Sequence, residues 1–401
     1  MRRFFAAAIA AFLLANCSPD PITETKEAVG LGFSASDPDF EWKISNPFPF
    51  SDGYELFVDA TKSQGENRRQ SSNVNENDEW IAQNPVEPDE IYGDQSAFFS
   101  LKDPSIIRHE GFWHLFCTRR AVLHSHSIEY LKLEDLETGH PLERVVLPLK
   151  GKGIRAPQVF FFTPDEQWYL LFQKEVLNRG FLVNLPFFST SPSIDDPGSW
   201  SEPQMIILPD HEEKGEWEDF WFISDRRKGF LFMTSKEGKF YRSETSLEEF
   251  PAGFSTPEVC LEGDFIEGGH VYWVPDWERY LAVIVASRYL QRYHKAYVSR
   301  TLDSGWEHFA ITRTQSFVSI SNVEFPSPEP WADSFGHGEL IRSGRDETMT
   351  VSTSGLAMLL PAVERLEMDG KLYREVPWKL ALVKLIGARV GLLPEDNHSK
   401  N

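Results

Sequence analysis

Three carboxylates stand out by position. Asp103, Asp219 and Glu267 each open the first strand of a recurring two-strand unit. Cleaving a glycosidic bond with inversion requires two carboxyl groups, one activating water as general base and one protonating the departing oxygen as general acid. A third acid nearby raises the pKa of the proton donor by like-charge repulsion and holds it in place. Asp is short and leaves room for a water; Glu is longer and reaches the scissile oxygen. Acidic residues at loop ends also cap turns, so position alone leaves both readings open.

The elements that must position these residues form a loose repeat. One unit runs Asp103-Pro104-Ser105-Ile106-Ile107, a turn at Glu110-Gly111, then Phe112-Trp113-His114-Leu115-Phe116. Similar pairs begin at Ala156-Pro157-Gln158, Asp219-Phe220-Trp221, Glu267-Gly268-Gly269-His270 and Gly336-His337-Gly338-Glu339; the last is expected to turn at Ser343-Gly344-Arg345 and return through Thr348-Met349-Thr350-Val351. Each is a small or polar start, an apolar strand, a tight turn and a second apolar strand, which is a hairpin signal. Five units spaced by roughly 50–70 residues predict an all-β, five-bladed β-propeller of four-stranded blades. Helical periodicity is nearly absent, and Trp378 to Leu393 reads as a closing strand or a short amphipathic segment.

Composition narrows the partners. The 401 residues include 31 Phe, 12 Trp and 11 Tyr, as suits a packed β-protein with rings to spare for a sugar cleft. A net charge of -21 makes nucleic acid an unfavourable partner. Arg2, Arg3, the apolar run Phe4 to Ala15 and Leu14-Ala15-Asn16-Cys17 read as a signal peptide ending in a bacterial lipobox. The expectation is an exported chain, anchored at the outer membrane only through lipid on Cys17, periplasmic or on the cell surface, and monomeric. Residues 18–40 read as a tether, 41–395 as the propeller, and the polar stretch 62–95 as an inserted loop. Cys117 and Cys260 would be a disulfide or two free thiols. His124-Ser125-His126 has metal-like spacing but lacks a completing ligand.

Seven blocks in order, over residues 95 to 385, resemble glycoside hydrolase family 62: Leu101-Lys102-Asp103-Pro104, Arg155-Ala156-Pro157-Gln158-Val159-Phe160, Trp217-Glu218-Asp219-Phe220-Trp221, Phe265-Ile266-Glu267 before Val271-Tyr272, Arg292-Tyr293, Ser334-Phe335-Gly336-His337-Gly338-Glu339, and Tyr373 before Pro377-Trp378. The resemblance implies an inverting α-L-arabinofuranosidase acting on arabinoxylan or arabinan. Asp103 would be the general base, Glu267 the general acid and Asp219 the orienting carboxylate. Lys102, Gln158, Arg292 and Tyr373 would line the arabinose pocket. His337 would lie on the propeller axis, where relatives hold calcium or water. The chain departs from the pattern at Gly268-Gly269-His270, where relatives usually have Ala, Ser and Asn, and it has Ser224 and Gly229 near the places of a third-blade cysteine pair. A related propeller glycosidase of different specificity and a non-catalytic glycan-binding lipoprotein are the competing functions.

Overall fold

The computed structural model describes residues 39–51, 98–121, 126–178, 181–209, 217–371 and 375–389. The signal segment, most of the tether, the 62–95 stretch, His124, Ser125 and Tyr373 lie outside them. Among the described residues there is no α-helix, and the strands form five sheets.

Blades one to four are antiparallel meanders of four strands each. Their inner strands are Phe98–His109, Arg155–Phe162, Trp217–Ser224 and Phe265–Val274. These strands face other blades on both sides, so their apolar residues run almost without alternation, as in Phe220-Trp221-Phe222-Ile223, all buried. The Glu110-Gly111 turn has both residues at positive φ, 49° and 88°, as a two-residue hairpin requires.

The aromatic richness is used between blades. Phe160 stacks on Phe222 at 5.4 Å, and Phe250 packs at 4.2 Å from Phe222 and 4.6 Å from Phe162, joining blades two and three. Cys117 and Cys260 are both free, on strands of blades one and three.

Blade five closes the ring with both ends of the chain. Asp39–Ile44 pairs antiparallel with Lys379–Arg389, which pairs with Ala357–Val363. The segment from Trp378 is therefore a closing strand. The second strand of this blade is Ala357–Val363, not the expected Thr348–Val351. Residues 345–351 instead cross beneath the inner strands: Phe161, Ser224 and Trp273 donate backbone N–H groups to Arg345, Glu347 and Met349. Their Thr and Val content imitated a strand, but they pair with the ends of three blades in turn.

Trp42 is fully buried on Asp39–Ile44, the N-terminal strand of this blade, its indole N–H donating to the Phe317 carbonyl at 2.5 Å and its ring 5.1 Å from Phe317. Trp42→Ala should lower the unfolding free energy by about 3–5 kcal/mol, read by equilibrium denaturation. A loss below about 1 kcal/mol, far under that of a large-to-small core substitution, would mean that this strand does not hold the ring closed.

Candidate active site

Each of the first four inner strands carries an extra residue near its start, and Phe98–His109 and Phe265–Val274 carry a second, between Phe98 and Ser100 and between Phe265 and Glu267. The register with the neighbouring strand shifts between Lys102 and Ser105, Arg155 and Gln158, Glu218 and Trp221, and Glu267 and Gly269. Superposing the bulges aligns four quartets: Lys102-Asp103-Pro104-Ser105, Arg155-Ala156-Pro157-Gln158, Glu218-Asp219-Phe220-Trp221 and Glu267-Gly268-Gly269-His270. In blade five, Gly336-His337-Gly338-Glu339 follows the strand pair at Phe335 and reaches the next at Glu339.

The second residue of the first four quartets is left-handed: Asp103 at φ 48°, Ala156 at 51°, Asp219 at 57° and Gly268 at 49°. Non-glycine residues seldom adopt this conformation. Asp103 and Asp219 thus occupy equivalent places, with His337 at the matching place in blade five. Glu267 does not share that place as the repeat suggested; it holds the first position, equivalent to Lys102. The second position beside Glu267 is Gly268, where a Cβ would lie 2.6 Å from the His337 ring. At Gly269 a Cβ would lie 2.3 Å from the Phe240 ring. The two glycines let this strand close onto its neighbours.

The carboxylates gather around one imidazole. His337 Nδ1 lies 3.8 Å from an Asp103 oxygen and 3.6 Å from an Asp219 oxygen, and all three residues are buried. Asp219 is fixed from two sides: Gln173 accepts its backbone N–H, and its Oδ2 accepts the Gly268 N–H, both at 2.7 Å. Burial pushes the Asp219 carboxyl up to about 6; His337 opposes the rise, and the negative charges of Asp103, Glu218 and Glu267 add to it.

Glu267 is held the other way. Burial raises its pKa, but Arg292, then Lys102 and His337, outweigh it and leave it at about 2. Arg292 donates to Glu267 Oε1 and lies 5.1 Å over the Trp378 ring. Its backbone N–H is taken by Ser334 Oγ. Lys102 Nζ lies 3.5 Å from Asp103 Oδ2. Asp103, Asp219, Glu267, Lys102, Arg292 and His337 therefore form one constellation.

Gln158 stands apart from it. As the fourth residue of its quartet it is buried, its amide oxygen accepting the Phe222 N–H and its amide nitrogen donating to the Phe222 carbonyl, both at 2.7 Å. Both ends of the amide tie blade two to blade three, so the side chain braces the wall instead of facing a sugar. Tyr373 lies outside the described residues. The fourth positions also bring Trp221 and His270 face to face, with centroids 3.7 Å apart. Sequence reasoning gave no role to Trp221, Trp378 or Tyr272; the period-two spacing of His270 and Tyr272, which puts both on one face of a strand, was the available signal.

The model for "Glycosyl hydrolase family 62" matches residues 149–384. The chain belongs to that family. It is 29% identical over 314 residues to alpha-L-arabinofuranosidase C of Cellvibrio japonicus, covering 76% of this chain and 47% of that protein, so the chain spans about half the length of that relative. It also resembles the catalytic domain of a family 62 alpha-L-arabinofuranosidase from Coprinopsis cinerea, with a TM-score of 0.70 at 26% identity over 88% of this chain and 99% of that one. A family 62 hydrolase crystallised with xylotriose matches with a TM-score of 0.64 at 28% identity, over 73% and 93%.

An axial ion in a family 62 fold would need donors on the axis. Calcium takes six to eight oxygens at about 2.3–2.6 Å. Here His337 Nε2 is 2.5 Å from another nitrogen, His270 Nε2. Among the described residues no group of three or more His, Cys, Asp or Glu side chains is spaced to hold a metal ion. The donors present do not fit calcium.

Asp219 has a folded-state pKa above its ordinary value of 3.8. Its contribution favours the fold below pH 3.8 and is lost as pH rises through about 6. Asp219→Asn keeps an oxygen for the Gly268 N–H and cannot ionise. Its thermal midpoint at pH 7 should exceed that of the wild type by on the order of 2 °C, with the advantage vanishing near pH 4. A midpoint lower than wild type at pH 7 would contradict this charge assignment.

Proposed function

We propose that this family 62 member is an inverting glycoside hydrolase that releases α-L-arabinofuranosyl side chains from arabinoxylan or arabinan. The observation that carries the reading is the convergence of Asp103, Asp219 and Glu267 around His337, with Lys102 and Arg292 supplying cations. Asp103, next to Lys102 and unshielded by any longer acid in its own quartet, serves as general base. Glu267 serves as general acid, and Asp219 orients it and favours its protonated form by like charge. The two curated and structural relatives named as arabinofuranosidases support the sugar, and the xylotriose complex of a third relative supports a xylan backbone.

A general acid must carry a proton, whereas Glu267 is ionised while Arg292 holds it. The conflict resolves if the bound sugar draws Arg292 onto its own oxygens. Glu267 then loses its nearest cation in a buried place beside Asp219, and the protonated form is favoured by desolvation and like charge. Arg292 in this reading couples occupancy of the pocket to loading of the acid.

Purified protein incubated with wheat arabinoxylan and with sugar-beet arabinan should release free arabinose. Glu267→Ala and Asp103→Asn should each lose about 100-fold or more of that activity. Binding of either polysaccharide without any product from the wild type would instead make the chain a non-catalytic glycan-binding propeller.

Arg2, Arg3, the apolar run from Phe4 to Ala15 and Cys17 support export of the chain and a lipid anchor at the bacterial outer membrane. In cells fed labelled palmitate the chain should take up label, and Cys17→Ala should abolish uptake. Label retained in that variant would refute lipidation at Cys17.

A further inference from the structure

The axis below the carboxylates is filled by a chain of hydrogen bonds whose direction can be read from its far end. The Leu340 N–H donates to the Tyr272 hydroxyl oxygen at 3.0 Å. Tyr272 is buried, and its hydroxyl lies 2.9 Å from His270 Nδ1. His270 Nε2 lies 2.5 Å from His337 Nε2, and the opposite nitrogen of His337 faces Asp103 and Asp219. Two imidazole nitrogens that close must share a single proton.

With its oxygen accepting from Leu340, the Tyr272 hydroxyl directs its own proton to His270 Nδ1. A neutral His270 is then protonated at Nε2 and donates to His337 Nε2. That leaves the His337 proton on Nδ1, aimed at the carboxylate pair. Burial above all, with the Arg342 cation adding to it, keeps His270 neutral. Trp221 covers one face of the His270 ring at an interplanar angle of 19°, and its own N–H is bonded to the Val271 carbonyl at 2.8 Å, so the ring cannot turn away. Gly268 allows His337 to approach, because any larger residue there would meet its ring.

We propose that Leu340, Tyr272, His270 and His337 form a directional hydrogen-bond chain that stands in place of an axial metal ion and presents one N–H to Asp103 and Asp219. His270 and Tyr272 act through His337 and are positioning residues. The chain fixes the His337 ring and turns one N–H dipole toward the buried carboxylates. The chain reaches blades one, three, four and five, which also accounts for the departure from the family pattern at Gly268-Gly269-His270.

The test has two arms that need no substrate and one that rests on the arabinofuranosidase reading. The full chain, dialysed against calcium, should hold no stoichiometric metal by elemental analysis, and its thermal midpoint should not move with EDTA or added calcium. Long-range 15N–1H spectra should show His337 protonated at Nδ1 and His270 at Nε2, with His270→Asn assigning the pair. In Tyr272→Phe the His270 pattern should become mixed, and kcat on an arabinofuranoside should fall about tenfold with KM unchanged. One equivalent of calcium, with a midpoint that drops in EDTA, would overturn the proposal. So would the reverse tautomers, or an unchanged imidazole spectrum in Tyr272→Phe. If either variant fails to fold, the metal and spectral measurements on the wild type still decide. If the wild type releases no arabinose, those two arms stand unaffected, so a wrong substrate assignment is told apart from a wrong chain.

Discussion

The left-handed residue in each of the first four inner strands is the constraint on which the site depends. An extended strand points successive side chains to opposite faces. One extra residue at positive φ breaks that alternation and lets two neighbouring side chains project toward the axis. Each such L-residue is strained by about 1–2 kcal/mol, and the strain is held by pairing on both sides of the bulge. Asp103 and Asp219 use the left-handed place itself. Glu267 uses the place before it, which a longer side chain can exploit. The repeat thus yields three carboxylates that differ in depth and reach from one backbone device.

Crowding these charges in a dry site creates an electrostatic problem that the remaining polar residues answer. Lys102 lies beside Asp103, Arg292 beside Glu267, and His337 beside both aspartates. Deeper still, the buried Glu339–Arg342 pair, at 2.6 Å, ties the layers together, with Arg342 also donating to the carbonyls of Ile106 and Val159. The result is asymmetric: Asp219 rises to about 6 while Glu267 falls to about 2. Titratable neighbours with pKa values pushed apart are the usual basis for dividing acid and base duties.

The blades were legible in the sequence because aromatic and β-branched runs separated by tight turns recur at regular spacing, and the Glu110-Gly111 turn was read at its true place. The three acids stood out by their position at strand starts, and His337 only through the resemblance to the family. What could not be read was register. A bulge leaves no compositional mark, so the one-residue offset between Glu267 and the two aspartates emerged only from the pairing. Residues 345–351 imitated a strand because their local preference is extended, while their partners lie on three different blades. Gln158 looked like a sugar ligand, although its amide binds a backbone 64 residues away, at Phe222. The chain from Tyr272 to His337 was hidden for the same reason, since 67 residues separate His270 from His337.

The central claim is that Asp103 and Glu267 act from opposite sides of the bond, with water delivered by the aspartate. The most direct measurement is the configuration of the arabinose at the moment of release, followed by proton NMR during hydrolysis before the anomers equilibrate. A direct water displacement predicts that the β-anomer appears first. First appearance of the α-anomer would indicate a covalent intermediate and retention, and would contradict the assignment of Asp103 as a base.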